Sequence, residues 1–255
     1  MNNIFNSAKK IIGKANVVVQ KNYNKIKDIS YKKGASNLVT NVDKEVEELI
    51  IREITLHYPH HTIIAEESGK HKGDPKYQWF IDPIDGTTNF AHGYPFFCIS
   101  IGFSVNDILE FGLIQNPTTN ELYSALRNHG ARLNEKSIKV SKTKKLYESL
   151  LITGFPYDKK SKASNFYNFQ NITLMSHGVR RDGAAALDLC YIASGKADGF
   201  WETKLSPWDV AAGVLIVKEA GGKITDFKGG KFDVWENKIV ATNGLIHKEL
   251  LKNLR

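Results

Sequence analysis

The sequence predicts a mixed α and β fold in one domain, with helices and sheets stacked in layers. The chain has 255 residues, of which 42% are hydrophobic and 24% charged, the balance of a globular protein with a large core. Helical patterns and short apolar strands occur in mixed order, without strict β-α-β repetition. Since no linker or internal repeat interrupts the chain, we expect one domain over 1–255, with an α+β part of about 1–145 and an α/β part of about 146–255.

Two amphipathic helices open the chain. Residues 4–26 place apolar side chains at helical spacing, which predicts a helix with one buried face. A second apolar stripe follows Thr40 and Asn41, either of which can cap a helix, and it ends near Pro59. Asp43 is therefore predicted in the first turn of this second helix.

Two short apolar strands follow, over residues 62–65 and 78–81. They stop at Glu66 and Asp82, so each strand delivers a carboxylate at its C-terminal end. The remainder of the first half predicts an antiparallel meander, because strand patterns are separated by turns rich in Asn and Asp. Its strands cover residues 96–105, 108–114 and 121–126.

The second half contains more helix. We predict helices over 164–176 and 184–194, and then a strand over 199–202. A very apolar helix starts near Trp208 and stops at Gly221. Strands over 223–227 and 238–241 and a short final helix complete the chain.

The net charge of +8 indicates an acidic partner, either a nucleic acid or an anionic small substrate. The lysines occur mainly in 9–33, 136–145 and 159–162, without regularly interleaved aromatic residues. This pattern favours a solvated surface over a dedicated nucleic-acid face. The N-terminal residues show neither a signal-peptide core nor a membrane-spanning run, so we expect a cytoplasmic protein without membrane association.

The cysteines and three clustered histidines have structural interpretations. Cys98 and Cys190 lie among apolar residues, where a thiol usually packs as a small core side chain. His57, His60 and His61 resemble a metal site by composition, but no matching partner is evident on a facing element. We expect these histidines to be a solvated cluster at a helix end.

The segment WFIDPIDGTTNF, residues 79–90, combines features that suit a metal and a phosphate. Pro83 stiffens the bend between Asp82 and Asp85, so both carboxylates and a backbone carbonyl can converge beyond the strand end. Such hard oxygen ligands suit Mg²⁺. Gly86 permits close backbone approach, and amides that open a helix here would face an anion. The alternative is a plain turn whose aspartates cap a helix.

A second segment reads WDVAAG at 208–213 and EAGG at 219–222. It places Asp209 in the first turn of the apolar helix. By itself this position is more typical of an aspartate that stabilises the helix dipole.

Together these segments resemble the inositol monophosphatase family, the lithium-sensitive, magnesium-dependent phosphatases. The family's W-x-x-D-P-x-D-G-T-x-N-F signature matches residues 79–90, and its second signature matches 208–222. The run L-V-T-x-x-D that ends at Asp43 and the E-E-S step at 66–68 also fit. The resemblance, which is nearly end to end, implies an α-β-α-β-α sandwich, usually a homodimer, with about two or three Mg²⁺ ions per site.

The resemblance also implies roles for individual residues. The metal ligands would be Glu66, Asp82, the carbonyl of Ile84, Asp85 and Asp209. The catalytic residues would be Glu66 together with Asp43 and Thr87, which orient the attacking water. The substrate-binding residues would be Asp85, Gly86, Thr87, Gly183, Ala184, Ala185, Glu202 and Asp209. Residues 184–186 are equally compatible with plain helix packing. One arginine of the pair Arg180 and Arg181 would contact the phosphate or a subunit interface, and a surface salt bridge is an equally good interpretation.

The function predicted by the resemblance is hydrolysis of a small phosphate monoester, such as inositol-1-phosphate or a related polyol or sugar phosphate, by metal-activated water. Fructose-1,6-bisphosphatase, histidinol-phosphate phosphatase and 3′-phosphoadenosine phosphatase share the same metal core. From a different class, the net charge leaves open an RNA- or protein-binding regulatory module with secondary phosphatase activity.

Overall fold

The computed structural model describes residues 1–25, 29–31, 38–156 and 159–255. The helices are α1 (Asn2–Asn22), α2 (Asn41–His57), α3 (Thr87–Ala91), α4 (Lys159–Thr173), α5 (Ala185–Ala193), α6 (Pro207–Glu219) and α7 (His247–Asn253). The strands of the first half are β1 (Ile29–Tyr31), β2 (Leu38–Thr40), β3 (His61–Ala65), β4 (Gly69–His71), β5 (Asp74–Asp85), β6 (Cys98–Val105), β7 (Ile108–Asn116), β8 (Glu121–Leu126), β9 (Ala131–Leu133) and β10 (Lys136–Ile138). Those of the second half are β11 (Leu150–Thr153), β12 (Gly178–Arg180), β13 (Gly199–Thr203), β14 (Lys223–Thr225) and β15 (Lys238–Thr242).

Two large sheets organise the described residues. The first has 8 strands in the order β10-β9-β8-β7-β6-β5-β3-β4, and the second has 5 in the order β12-β11-β13-β15-β14. In the first sheet β3 and β5 run parallel, whereas the other neighbours are antiparallel. The C-terminal ends of β3 and β5 therefore lie side by side, which is where the sequence predicts two carboxylates.

Apolar cores separate the layers, and three of them are large. The first packs α1 and α2 on one face of the large sheet, with Ile12, Val46 and Trp79 among its members. The second encloses α5 and α6 between the two sheets, and the third packs α4 and α7 on the outer face of the small sheet. The order helices, sheet, helices, sheet, helices confirms the predicted α-β-α-β-α sandwich.

Helix α6 lies unusually close to the large sheet. A Cβ atom added to Gly102 on β6 would stand 2.9 Å from Cβ of Ala211, and one added to Gly112 on β7 would overlap the backbone of Ala212. The two strand glycines are thus required by the close approach of the helix at Ala211 and Ala212. This contact fixes the height of the N-terminus of α6 above the sheet.

Some predicted elements were wrong in extent. Helix α1 ends at Asn22, with an extended Tyr23 after it, and residue 26 of the predicted span lies outside the described residues. Strand β5 continues to Asp85 instead of stopping at residue 81. Helix α4 begins at Lys159 and not at residue 164; the prediction missed this start because the first turns are polar and carry no apolar stripe. The antiparallel pair of β1 and β2 was not predicted.

The histidine prediction is also corrected. His61 is half-buried, its Nδ1 accepts a hydrogen bond of 3.0 Å from Nε1 of Trp79, and its ring stacks on Tyr77. Burial lowers the pKa of His61. This histidine therefore supports the packing of β5.

Both cysteines are buried and free, as predicted. Within the described ranges, no helix has the length and apolarity needed to cross a membrane.

Candidate active site

Strand pairing brings Glu66 beside Asp82. Ala65 at the end of β3 pairs with Ile81 on β5, and the amide of Glu66 donates to the carbonyl of Ile81 at 3.1 Å. The pairing of β5 with β6 then shifts between Asp82 and Asp85, which marks a bulge. A bulge changes the direction of side chains. Both aspartates consequently belong to the irregular end of the strand, not to a loop beyond it as the sequence indicated.

A buried glutamate supports the turn that carries Glu66. Glu47 on α2 is 2% exposed, and its two carboxylate oxygens accept the amides of Glu67 and Ser68, each at 2.8 Å. No sequence pattern indicates this contact, because Glu47 looks like an ordinary helix glutamate. The two hydrogen bonds fix the backbone next to a predicted metal ligand.

Helix α6 supplies the third acidic position. The helix begins at Pro207, and Oδ2 of Asp209 accepts the amide of Ser206 at 2.6 Å. This capping bond satisfies an amide at the helix start and fixes the orientation of the carboxylate. The structural interpretation of Asp209 is correct, and it leaves Oδ1 without a capping role.

These elements surround one cavity of about 270 Å³. Every predicted site residue except Asp43 lines it: Glu66, Asp82, Ile84, Asp85, Gly86, Thr87, Gly183, Ala184, Ala185, Glu202 and Asp209. Segments far apart in the chain therefore meet at one place, as the two signatures require.

Asp43 lies directly behind the cavity wall. It is fully buried, and its Oδ1 accepts a hydrogen bond of 2.9 Å from Oγ1 of Thr87. Its Oδ2 accepts both the amide and the hydroxyl of Thr40, which caps α2. Burial raises the pKa of Asp43 to about 6, although the bonds from Thr40 oppose the increase. At neutral pH this carboxylate is mostly ionised and able to accept a proton.

Thr87 connects Asp43 to the cavity. Its hydroxyl stands 2.9 Å from Oδ1 of Asp43 and 3.0 Å from the carbonyl of Ile84. A hydroxyl has one proton and two lone pairs. When Thr87 donates to Asp43, its oxygen can accept a proton from a molecule in the cavity.

The three aspartates of the cavity have raised pKa values. Burial raises the pKa of Asp82 well above its ordinary value, and the charges of Glu66, Asp85 and Asp209 add to the effect. Burial also raises the pKa of Asp85 to about 7, opposed by the amide of Ala186. The pKa of Asp209 is raised by burial and then by Glu66 and Asp85. Such mutual repulsion indicates a place where positive charge is favoured.

The donor atoms fit a hard divalent cation. Oδ1 of Asp82 is buried and, among the described residues, has no hydrogen-bond partner. Carboxylate and carbonyl oxygens are the ligands that Mg²⁺ prefers. Among the described residues, no three Asp, Glu, His or Cys side chains already lie at metal-binding distances from one point. A bound cation would therefore have to bring the acidic side chains closer together.

The segment around Gly183 forms the opposite wall. The amide of Ala186 donates to Oδ2 of Asp85 at 2.7 Å, and Nδ2 of Asn89 donates to the carbonyl of Asp182 at 2.8 Å. Gly86 and Gly183 adopt φ of 88° and 90°, a region that favours glycine. The asparagine and glycine of the first signature therefore hold two chain segments together.

Several cavity residues were missed by the sequence reasoning. They are Gly154, Phe155, Pro156, Thr203, Lys204, Leu205 and Ser206, with Trp208 recognised only as part of a motif. Gly154, just after β11, packs directly against the carboxylate of Glu202 on β13, so a Cβ atom there would displace that carboxylate. No periodicity reveals such a contact. The sequence left the role of Arg181 open. Its side chain lines the cavity, which favours a phosphate contact over a plain surface salt bridge.

Comparison with known proteins agrees with this geometry. The sequence model of the inositol monophosphatase family matches residues 1–255. The chain is 45% identical over 234 residues to inositol-1-monophosphatase of Synechocystis sp., a match that covers 91% of this chain and 82% of the relative. It is 42% identical over 258 residues to Nus factor SuhB of Escherichia coli K12, covering 100% and 97%.

A solved structure shows the same fold. Inositol monophosphatase from Anabaena superimposes with a TM-score of 0.90 and 41% identity, over 99% of this chain and 95% of that one. The agreement extends over the sequence and the fold. This chain belongs to the inositol monophosphatase family and is a phosphoric monoester hydrolase.

Proposed function

We propose that the protein is a Mg²⁺-dependent phosphatase for small phosphate monoesters, with inositol-1-phosphate or a related polyol or sugar phosphate as its substrate. One observation carries the proposal: Asp82 and Asp85 of the first signature and Asp209 of the second line the same cavity. The name of the Synechocystis relative, inositol-1-monophosphatase, supports the substrate class.

The acidic wall would hold the metal ions. Glu66, Asp82, Asp85 and Asp209 and the carbonyl of Ile84 are the proposed ligands. Bound Mg²⁺ would supply an acidified water and neutralise the charge of the phosphate. In the hydrolysis a water oxygen bonds to phosphorus, the bond to the ester oxygen breaks, and the alcohol leaves with a proton.

Thr87 and Asp43 would remove the proton of the attacking water. The Thr87 oxygen accepts this proton while its own proton moves to Oδ1 of Asp43, 2.9 Å away. The pKa of Asp43, about 6, is close to the working pH, which favours transfer in both directions. The capping bonds to Thr40 keep the carboxylate in position during the transfer.

The polar wall opposite would bind the alcohol. Burial, with a contribution from Asp85, raises the pKa of Glu202 to about 8, so this side chain is mostly protonated at neutral pH and can donate to a substrate hydroxyl. Arg181 lies on the same side and would bind phosphate or ring oxygens.

A phosphate-release assay tests the proposal. We would compare kcat/KM for inositol-1-phosphate, fructose-1,6-bisphosphate, histidinol phosphate and 3′-phosphoadenosine 5′-phosphate, with Mg²⁺ and with a chelator. We expect turnover that needs Mg²⁺ and disappears in Asp85→Asn or Asp209→Asn, while Asp74→Asn, at the exposed start of β5, retains activity. Near-normal turnover in Asp85→Asn would contradict the site assignment. A clear preference for another substrate would correct the substrate class only.

The regulatory alternative has its own support. The net charge is +8, and a relative with 42% identity carries the name Nus factor. Binding to a structured RNA, measured across a salt series, separates the two functions. Strong, salt-sensitive binding that persists in Asp85→Asn would establish a second role independent of catalysis, and no binding would remove it.

Three further expectations from the family resemblance stay predictions. They are a homodimer, which sedimentation velocity would detect, inhibition of phosphate release by Li⁺, and a cytoplasmic location.

A further inference from the structure

A second cavity lies at the other end of α6. It measures about 380 Å³, and we call it the distal cavity. Its lining includes Phe80 and Ser104 from the large sheet, Lys218 at the end of α6, and Lys231 and Trp235 from the segment before β15. Cavities of a few hundred Å³ with apolar walls and a few polar groups are typical of small-molecule sites. None of these residues belongs to the active-site lining.

The walls of the distal cavity favour a flat apolar body. Phe80 and Trp235 form an edge-to-face pair with ring centroids 6.1 Å apart, and Trp235 remains 57% exposed. Phe232 and Leu215 are buried beside them. An aromatic ligand would cover the exposed indole and gain both apolar burial and ring contacts.

Two cationic groups at the cavity have no acidic partner among the residues that the structure describes. Among the described residues, neither Lys218 nor Lys231 makes an ion pair or a side-chain hydrogen bond. Burial and the neighbouring charge of Lys231 lower the pKa of Lys218. Two ammonium groups that repel each other beside an apolar cavity would be stabilised by an anion between them.

The acidic side chains of the same cavity are engaged elsewhere. The two carboxylate oxygens of Glu219 accept the amides of Asn128 and Gly130, each at 2.8 Å. Asp107 accepts from the side chain of Gln78 at 2.8 Å, and Asp233 accepts the amide of Trp235 at 3.0 Å. These contacts hold the acids to the cavity wall. The carboxylates keep their negative charge, but among the described residues none forms an ion pair with Lys218 or Lys231.

A further polar group lacks a partner. Ser104 is 2% exposed, and its hydroxyl has no hydrogen-bond partner among the described residues. Alternation along β6 places Ser104 on the same face of the sheet as Gly102, which contacts α6. An orphaned buried hydroxyl in a cavity wall is unfavourable unless a ligand or water satisfies it.

We propose that the distal cavity binds a small anion with an aromatic body, whose negative group lies against Lys218 and Lys231. The ring of the ligand packs against Phe80 and Trp235. This site is separate from the phosphatase site, but it contacts the elements β5 and α6, which carry Asp82 and Asp209 toward the active-site cavity.

The aromatic sulfonate 8-anilinonaphthalene-1-sulfonate is a suitable probe, and N-phenyl-1-naphthylamine is the matched neutral compound. We would titrate each into the full-length protein and record probe fluorescence, with Mg²⁺ and inorganic phosphate present to occupy the active site. We expect saturable binding of the sulfonate and weaker binding of the neutral compound. Equal affinity of the two compounds, or no saturable binding of the sulfonate, would overturn the proposal.

Two variants locate the probe. The double variant Lys218→Met and Lys231→Met keeps the apolar stems and should weaken sulfonate binding by about fivefold or more. The control exchanges two exposed lysines outside the lining, Lys144→Met and Lys228→Met, and should leave the affinity unchanged. Trp235→Phe should reduce probe emission excited through tryptophan. Equal effects of the two lysine pairs, or unchanged emission in Trp235→Phe, would place the probe elsewhere and refute the site.

Discussion

Neutralising Asp85 should stabilise the metal-free protein while abolishing its activity. The carboxylate is buried, and its Oδ2 accepts the amide of Ala186 at 2.7 Å. In Asp85→Asn the amide oxygen can keep this bond, so the main change is the loss of a buried negative charge near Glu66. The substitution thus separates the electrostatic cost of the site from its packing.

The expected magnitude follows from the pKa of Asp85, which burial raises from 3.8 to about 7. A difference of about 3 pH units at about 1.4 kcal/mol each corresponds to about 4 kcal/mol. Because neighbouring acids share the repulsion and can exchange protons, we expect about 1–4 kcal/mol. A raised pKa means that stability is full below about pH 4 and is lost as the pH rises through about 7. The advantage of the variant should therefore be absent at low pH and complete above pH 7.

Chemical denaturation at several pH values, with a chelator and with Mg²⁺, measures this effect. Mg²⁺ at a concentration of about 100 Kd should stabilise the wild type by about 2.7 kcal/mol, and the variant much less. Asp85→Asn should therefore be more stable than the wild type with the chelator, and equally or less stable than the wild type with Mg²⁺. Asp74→Asn, at the exposed start of the same strand, is the matched control and should respond to Mg²⁺ like the wild type.

One result would refute the reasoning. If chelated Asp85→Asn were no more stable than Asp74→Asn at pH 8, the carboxylate would not experience the repulsion that the pKa indicates. If Mg²⁺ also stabilised Asp85→Asn as strongly as the wild type, the metal would bind elsewhere. Both outcomes can be distinguished from a misfolded variant by circular dichroism.

Three other predictions concern supporting residues. In Glu47→Gln an amide NH₂ replaces one acceptor of the Glu66 turn, so the Mg²⁺ concentration for half-maximal activity should rise about tenfold, whereas Glu48→Gln should have no effect. Thr87→Val should lower kcat about 10²-fold or more with little change in KM, and Thr87→Ser should restore most of it, because only the hydroxyl contacts Asp43. Burial lowers the pKa of His247 to about 4, so the neutral ring contributes stability that is lost as the pH falls from 6.5 through about 4. In His247→Gln this pH-dependent loss in the free energy of unfolding, measured by denaturation at several pH values, should be smaller by about 1–3 kcal/mol.

The predictable part of the fold comes from local patterns. Apolar stripes predicted α2 and α6, and short apolar runs located β3 and the centre of β5. The signatures located the acids of the cavity, because turn chemistry and carboxylate spacing are written in contiguous residues. Local sequence is sufficient where a property depends on neighbours within one element.

The rest depends on contacts between distant segments. The sequence does not reveal that β3 and β5 run parallel, although this pairing places Glu66 beside Asp82. Gly154 leaves room for the carboxylate of Glu202, which comes from another strand, and Glu47 matters because a turn about 20 residues later donates two amides to it. Such requirements appear only when the layers are assembled, so no periodicity can announce them.

The proposed chemical roles of Asp43 and Asp209 are compatible with their positions at helix starts. Asp43 and Asp209 each use Oδ2 to cap a helix, through the amides of Thr40 at 2.9 Å and Ser206 at 2.6 Å. A capped carboxylate loses rotational freedom before any ligand arrives, which lowers the entropic cost of using its second oxygen. For Asp43 that oxygen already receives the hydroxyl of Thr87. A helix N-terminus that meets a cavity therefore positions an acid by the same bond that stabilises the helix, and the stability role provides the rigidity that the chemical role requires.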